Sequence, residues 1–275
     1  MRALTIIAVR EMRDGLRNRW VVTATLLLAG FALTLAFLGA TPTGVVKVSP
    51  LSVTVVSLSS LTIFLVPLIA LLLSYDAIVG EIDRGTMALL LAYPVVRWQV
   101  LLGKFAGHMA ILAFATGVGY GAAGAALAFA GGNTSDAWAA FAGMVGSSIL
   151  LGAAFVAMGY FVSTLVRDRG TAAGIALGIW LFFVLIYDMA LLGVLVADQG
   201  RTVTADVLSW LLLFNPADAY RMFNLTGTAD ARMFSGMAGV AGQAVLSPAA
   251  LLSALSAWVL LPLAAAAALF ARRQV

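Results

Sequence analysis

Six apolar stretches run through the chain, and their lengths restrict what it can fold into. A helix needs about 20 mostly apolar residues to cross the hydrocarbon core of a bilayer. The stretches cover residues 20–40, 53–74, 100–130, 137–165, 171–197 and 248–270. Because 63% of the 275 residues are hydrophobic and only 10% are charged, a water-soluble fold could not hide this much apolar surface. The pattern predicts an all-α membrane protein with six transmembrane helices.

Basic residues near the ends of the stretches predict the orientation, since Lys and Arg accumulate in cytoplasmic loops. One set of segments holds Arg2, Arg10, Arg13, Arg17, Arg19, Arg84, Arg97, Lys104, Arg167, Arg169, Arg272 and Arg273. The opposite set holds only Lys47, Arg201, Arg221 and Arg232. Both termini are therefore predicted to lie in the cytoplasm, in a multi-pass protein of the bacterial inner membrane, with residues 198–247 in the periplasm. This use of the basic residues explains the net charge of +4, so no nucleic acid is expected as a partner.

Residues 1–19 are predicted to form a helix that lies along the cytoplasmic surface. Five apolar residues fall within one arc of a helical wheel, namely Leu4, Ala8, Val9, Met12 and Leu16. Arg10 and Asp14 are four residues apart and can form an ion pair. The helix is either an anchor for the first span or also a contact for a partner.

The connection at 75–99 contains a short apolar helix. Gly85 is expected to end one helix and Thr86 to cap the next, which covers 87–93 and stops at Pro94. Seven residues cannot cross a bilayer. This helix must therefore lie on the surface, re-enter the membrane or fill a groove of another protein. Its shape suits the transmission of force, and ordinary packing against neighbouring spans is the alternative.

A second helix start lies in the long segment 198–247. Asn215 is a favourable N-cap, Pro216 suits the first turn, and Asp218 follows the cap by three residues. The end of this helix is predicted to be exposed and has the composition of an interface. The candidate docking residues for a periplasmic partner are Asn215, Pro216, Asp218, Tyr220, Arg221 and Phe223.

Two features lie inside the fifth apolar stretch. Asp188 is its only charged residue, and it is either a gate or substrate contact or a hydrated acid at the outer interface beside Tyr187. Gly170, Gly174 and Gly178 recur every four residues, so they share one helix face and allow close approach of another helix. That packing can be within the chain or between subunits.

The chain is not expected to bind a metal or cofactor or to catalyse a reaction by itself. It has no cysteine, and its single histidine, His108, is interpreted as structural, with a ligand or proton-relay role as the alternative. The sequence lacks the G-x-x-x-x-G-K-[ST] phosphate loop. If ATP drives this protein, a different polypeptide must bind the nucleotide.

Three parts of the sequence resemble permeases of the ABC-2 transporter family, and the likeness extends over nearly the full length. They are residues 13–20, residues 215–221, and the series Gly80, Glu81, Gly85, Thr86, Tyr93, Pro94, Arg97 and Lys104. The narrower resemblance is to family members that serve the maturation of nitrous oxide reductase. It implies a type V exporter-like permease fold and a homodimer of six-span subunits.

The resemblance also implies partners and a task. Two cytoplasmic ABC ATPase subunits would bind ATP and Mg²⁺, and a periplasmic β-helical protein would sit on the outer face. The task would be assembly of the copper–sulfur centres of nitrous oxide reductase. The coupling helix of the family corresponds to 80–93. The implied ATPase-coupling residues are Asp76, Gly80, Glu81, Asp83, Arg84, Gly85, Thr86, Met87, Leu90, Tyr93, Pro94 and Arg97.

Three other functions compete with this one. The chain could be a stand-alone secondary transporter or channel, a membrane anchor for a periplasmic protein, or an intramembrane enzyme. An enzyme would need converging acids, bases or metal ligands within the spans, where Asp188 stands almost alone. The sequence names no substrate: a sulfur species, copper or only a conformational signal could cross the membrane.

Overall fold

The computed structural model of the chain describes residues 2–39, 50–130, 134–198, 204–226 and 246–273. All regular elements within these ranges are helical. They are α1 (Arg2–Leu16), α2 (Arg19–Gly39), α3 (Pro50–Ser74), α4 (Val79–Asp83), α5 (Thr86–Leu91), α6 (Arg97–Ala130), α7 (Ser135–Leu165), α8 (Arg169–Leu181), a π-helix (Phe182–Ile186), α9 (Tyr187–Asp198), α10 (Ala205–Leu213), α11 (Pro216–Thr226) and α12 (Pro248–Arg272). Three of the basic residues used to predict orientation, Lys47, Arg201 and Arg232, lie outside the described ranges.

The described helices confirm an all-α membrane protein. Five continuous helical segments are long and apolar enough to cross a bilayer, and α1 and α2, which meet at 67°, supply a sixth if the pair is counted as one span. The five are Leu51–Asp83, Arg97–Phe129, Ser135–Leu165, Arg169–Asp198 and Pro248–Arg272. The fifth predicted stretch, 171–197, is interrupted by the π-helix, which periodicity could not reveal.

Helix α1 packs against the first turns of α6. Two glycines of α6 allow this contact: a Cβ added at Gly103 would lie 3.1 Å from the carbonyl oxygen of Leu4, and one at Gly107 would lie 2.9 Å from that of Ala8. Any side chain there would force the helices apart. On the outer face of α1, the predicted Arg10–Asp14 pair is present at 3.7 Å.

Burial differs sharply between the spans. In α7, 67% of the most apolar stretch is buried inside the bundle, because α3, α6 and α12 all pack against it. In the segment made of α8, the π-helix and α9, the value is 11%. The core of this chain is therefore centred on α7, and α8–α9 presents most of its surface outward.

Two arginines join the helix ends near α5. Arg97 donates from Nη1 to the carbonyl oxygens of Phe270, at 2.9 Å, and Arg273. Arg273 donates in turn to those of Thr164, at 2.9 Å, and Val166, at 2.6 Å. The last carbonyls of a helix have no partner within it, so these arginines cap α12 and α7. Arg97, an implied coupling residue, is thus engaged within the chain.

Candidate functional site

The 75–99 segment folds into two short helices, α4 and α5, with a tight turn between them. Gly85 has a φ of 71°, a left-handed conformation that suits glycine. Thr86 was predicted to be the cap, and this is wrong: Gly85 occupies the N-cap position and Thr86 is the first helical residue. Helix α5 ends at Leu91, two residues before the predicted end. The side chain of Met87 is fully buried and fixes α5 against the bundle.

The opposite side of α5 exposes large apolar side chains. Leu89 and Tyr93 are each 70% exposed, and Val96 and Trp98 are exposed just beyond them. A helix of six residues cannot place such a surface across a bilayer. Several large apolar side chains exposed within one short segment are typical of a contact with another protein or with the membrane surface.

A groove of about 490 Å³ lies between α1 and α5. Its walls carry both charges and apolar groups. They include Ile7, Arg10 and Asp14 from α1, Arg84 from the turn, and Leu89, Leu90 and Tyr93 from α5 and its end. The groove also reaches Glu11, Glu81 and Lys104. Its mixed lining would suit a protein surface of mixed polarity.

A charged group that we call the Lys104 cluster lies beside the groove. The Nζ atom of Lys104 is 2.7 Å from Oε2 of Glu11 and 2.8 Å from Oε1 of Glu81. The lysine side chain is 4% exposed, and each carboxylate is about a quarter exposed. A buried ammonium needs such partners, because leaving it unpaired costs several kcal/mol. The cluster therefore joins α1, α4 and α6.

The cluster continues into α7 through a histidine. Oε1 of Glu11 is 3.3 Å from Nε2 of His108, and Nδ1 of His108 is 2.7 Å from the hydroxyl of Tyr160. Burial raises the pKa of Glu11, but the bond to His108 and the charge of Lys104 outweigh it and lower that pKa to about 2. His108 and Tyr160 complete the Lys104 cluster of Glu11, Glu81, Lys104, His108 and Tyr160.

Two further contacts fasten the start of the 75–99 segment. Arg169 donates to Oδ2 of Asp76 at 2.8 Å, which links the segment to α8. The backbone N–H groups of Ile78 and Val79 both donate to Oγ of Ser163 at 3.0 Å, which links it to α7. These contacts attach the start of α4 to both α7 and α8.

The predicted coupling residues divide into two groups. Asp76, Gly80, Glu81, Met87 and Arg97 are engaged or buried within the chain, and Leu90 is half-buried. The exposed members are Asp83, Arg84, Gly85, Thr86, Tyr93 and Pro94. Sequence reasoning missed Glu11. One signal could have found it: Lys104 and His108 lie one turn apart in an apolar stretch and need a carboxylate partner.

A second charged group, the Arg221 cluster, lies at the α11 end of the bundle, the end opposite to α5. Arg221 donates to Oδ1 of Asp218 and to Oδ2 of Asp188, each at 2.8 Å. Asp188 thus has an ion-pair partner, and the view that it stands almost alone is wrong. The arginine was missed because it lies 33 residues away in the sequence. The cluster comprises Asp188, Asn215, Asp218 and Arg221.

Asn215 organises this cluster. Its Oδ1 accepts a hydrogen bond from the N–H of Ala217 at 2.9 Å, and Pro216 is the first residue of α11, so the predicted cap is confirmed. Its Nδ2 donates to Oδ2 of Asp218 and to the carbonyl oxygen of Phe183 in the π-helix, each at 2.9 Å. Asn215 therefore caps one helix and ties it to another.

Burial makes Asp218 unusual. Its side chain is 2% exposed, and desolvation is the main cause that raises its pKa, to about 7. The charge of Arg221 lowers the pKa, while the nearby carboxylate of Asp188 raises it. The result is a group that can take up a proton near neutral pH.

Helix α11 is not the exposed docking helix that was predicted. Tyr220 is fully buried, and its hydroxyl is 3.0 Å from Oγ of Ser148 in α7. Asn215 and Asp218 are buried as well, while Arg221 and Phe223 are half-buried. The prediction that the end of the helix is exposed is wrong for Tyr220, because α11 packs into the bundle against α3, α7 and α12.

The three glycines of α8 face no other helix in the described part of the chain. A Cβ added at Gly174 or Gly178 would find nothing within 4 Å, and one at Gly170 would approach only the nearby Asp168. Within the described ranges, then, these glycines do not serve helix packing inside one subunit.

Comparison with known proteins identifies the family. Residues 5–275 match the family described as "ABC-2 family transporter protein". The chain is 47% identical over 271 residues to the "Probable ABC transporter permease protein NosY" of Pseudomonas aeruginosa, covering 98% of each chain. It is 44% identical over 269 residues to the protein of the same name from Stutzerimonas stutzeri, covering 97% of each. The chain belongs to the ABC-2 family of transporter permeases.

Proposed function

We propose that this chain is the membrane subunit of an ABC transporter driven by a separate cytoplasmic ATPase of the NosF type. ATP and Mg²⁺ bind to that ATPase, and hydrolysis takes place there. The α5 end faces the cytoplasm of the bacterium, in agreement with the distribution of Lys and Arg in the sequence. The energy drives transport, or a conformational signal, toward a periplasmic β-helical protein of the NosD type. In line with the family resemblance, the complex serves copper–sulfur centre assembly in nitrous oxide reductase.

The observation that carries this proposal is the exposed apolar surface of α5. Leu89 projects from a helix too short to cross the bilayer, and Tyr93 lies two residues beyond the end of that helix. Exposed apolar area costs about 25 cal/mol per Å² in water, so a partner that covers it gains binding energy. The groove beside them adds Arg84, from the turn between α4 and α5, as a charged group for orientation.

The attachment of α4 and α5 supports transmission of force. Met87 is buried, Ser163 holds the start of α4, and Arg169 holds Asp76. A displacement of α5 by a partner would therefore be passed on to α7 and α8. ATP can shift the bundle only if the ATPase contacts differ between its two states.

A second copy of this chain packs along α8–α9 in the proposed complex. This segment buries little surface in its own subunit, and the face of Gly174 and Gly178 is open. Close approach of two helices at small residues is the usual basis of association in lipid. A homodimer would use this face and bring two ATPase subunits together.

Site-specific crosslinking tests the proposal. Because the sequence contains no cysteine, an introduced cysteine is the one thiol of this chain that a maleimide can label. Leu89→Cys carries a photoreactive maleimide on α5, and Leu261→Cys carries it on α12 at 69% exposure as a matched control. Position 89 should crosslink to the ATPase in native membranes, whereas position 261 should not. Crosslinks from position 89 to lipid or to this chain alone would overturn the proposal.

A further inference from the structure

The Lys104 cluster connects two elements that barely touch each other. We infer that Lys104 is a positioning residue that makes α1 and the α4–α5 unit move as one body. Force applied to either element then reaches α6 through the same ammonium group. The part of this inference that concerns nucleotide-driven motion rests on the proposed function, while the connection itself does not.

Helices α1 and α4 pack against different neighbours, so the Lys104 cluster provides the connection between them. Helix α1 packs on α6 and α2, whereas α4 packs on α5, α7 and α8. The groove of about 490 Å³ separates α1 from α5. Across this gap, Lys104 holds Glu11 of α1 at 2.7 Å and Glu81 of α4 at 2.8 Å.

The chemistry of the cation suits a connection of this kind. An ammonium group has three protons and no acceptor, so it can serve two carboxylates from different elements at once. Because the Lys104 side chain is 4% exposed, water competes little for these bonds. The Glu11–His108–Tyr160 contacts extend the connection to α7, the most buried span.

A different ion pair on α1 provides a contrast. Arg10 and Asp14 are both largely exposed, lie on the same helix and are 3.7 Å apart. Such a pair contributes little and connects no separate elements. Arg10→Gln is therefore a matched control that removes one cation from α1 without touching the cluster.

Pairs of spin labels test the inference in the full complex, reconstituted in lipid with labelled chains diluted among unlabelled ones. One pair, Arg13→Cys with Ala92→Cys, reports the distance between α1 and the end of α5. A second pair, Ala92→Cys with Leu165→Cys, reports the distance between α5 and α7. All three positions are exposed, so the labels do not disturb the core.

The first distance should be narrowly distributed and should keep its width and mean when a non-hydrolysable ATP analogue is added. Lys104→Met should broaden it by about twofold or more, because two carboxylates then lack their cation. The second distance should stay narrow, since Met87 and Ser163 still hold α4 and α5. Arg10→Gln should change neither distance.

A neutral variant guards against simple misfolding. The triple variant Lys104→Met, Glu11→Gln and Glu81→Gln keeps the approximate shapes of the side chains. It removes the ammonium and both carboxylates, so none of these three charges is left without a partner. This variant should fold and should still show the broad α1–α5 distribution. A narrow distribution in it would overturn the inference even if the ATPase still binds.

The two proposals fail in different ways. If the ATPase does not co-purify and nucleotide changes no distance between labels, the proposed function fails. The widths of the distance distributions measured without nucleotide would still decide the role of Lys104. If nucleotide changes the α1–α5 distance while the wild-type cluster is intact, α1 and α5 move separately, and the inference fails with the proposed function untouched.

Discussion

At each end of this bundle, one cation lies between two carboxylates. The buried group is the cation in one cluster and a carboxylate in the other. In the Lys104 cluster the cation is nearly inaccessible and both carboxylates are about a quarter exposed. In the Arg221 cluster the guanidinium is 31% exposed and the carboxylate of Asp218 is the buried partner. A buried acid can avoid the cost of an uncompensated charge by taking up a proton, and burial raises the pKa of Asp218 in this way. We therefore expect Asp218 of the Arg221 cluster, but not Glu11 of the Lys104 cluster, to gain or lose a proton near neutral pH.

The proposed difference between the two clusters would be wrong if the two cations proved equally important for stability. Lys104→Met should lower the free energy of unfolding by about 3–5 kcal/mol, because it leaves Glu11 and Glu81 facing each other. Thermal unfolding of the purified protein in detergent measures the change. An effect no larger than that of an exposed substitution would show that water already screens the cluster.

Arg221→Met should cost less, on the order of 2 kcal/mol, because Asp218 can take up a proton when its partner is lost. The same unfolding measurement applies. Asp188→Asn is the companion variant: it removes the competing carboxylate and leaves Asp218 with a cation of its own. A loss at Arg221 that equals the loss at Lys104 would contradict the distinction between the two ends.

The dependence on pH sharpens the comparison. Asp218 has a folded pKa of about 7, above its ordinary 3.8, so the folded state holds a proton that the unfolded state lacks between these values. The stability that this proton contributes is present at low pH. It is lost, by on the order of 2 kcal/mol, as pH rises from 5 to 7.5. The pKa of Glu11 is lowered from 4.5 to about 2, so its stabilising contribution is already almost complete at pH 5 and adds only a small slope of opposite sign there.

Asp218→Asn should remove this slope, which unfolding temperatures measured at several pH values would reveal. A slope that persists in Asp218→Asn would assign the proton to another group. Glu11→Gln should lower stability equally at every pH in the window. A slope that changes in Glu11→Gln would contradict the fixed charge of the Lys104 cluster.

The smallest effect is expected for Arg10→Gln, within about 0.5 kcal/mol, since both partners of that pair are exposed. This variant sets the scale for the others under the same conditions. A loss near that of Lys104→Met would mean that α1 depends on its surface charges rather than on Glu11.

Much of the fold followed from the sequence because lipid imposes a simple rule on span length. The predicted stretches at 53–74, 100–130, 137–165 and 248–270 agree with helices α3, α6, α7 and α12 to within a few residues. The cap at Asn215 and the turn at Gly85 were also readable, since both depend on local chemistry. Local signals therefore located the long helices, whereas the cap and the end of the short helix α5 were predicted wrongly.

The charged clusters were not readable for the opposite reason. Glu11 and Lys104 are 93 residues apart, and no local pattern joins them. The Asn215–Arg221 motif was correctly assigned as a helix start, but its composition was taken for an exposed surface. Its polar side chains are instead partners for the π-helix and for Asp188, which only the tertiary structure brings into contact.

The π-helix at Phe182–Ile186 decides which way Asp188 faces. A π-turn holds about one residue more than an α-turn, so it shifts the angular phase of everything that follows by about 100°. In an uninterrupted α-helix, Asp188 would point away from Arg221. Deleting one residue within 182–186 would therefore rotate α9 relative to α8 and separate Asp188 from Arg221, although both residues would remain unchanged.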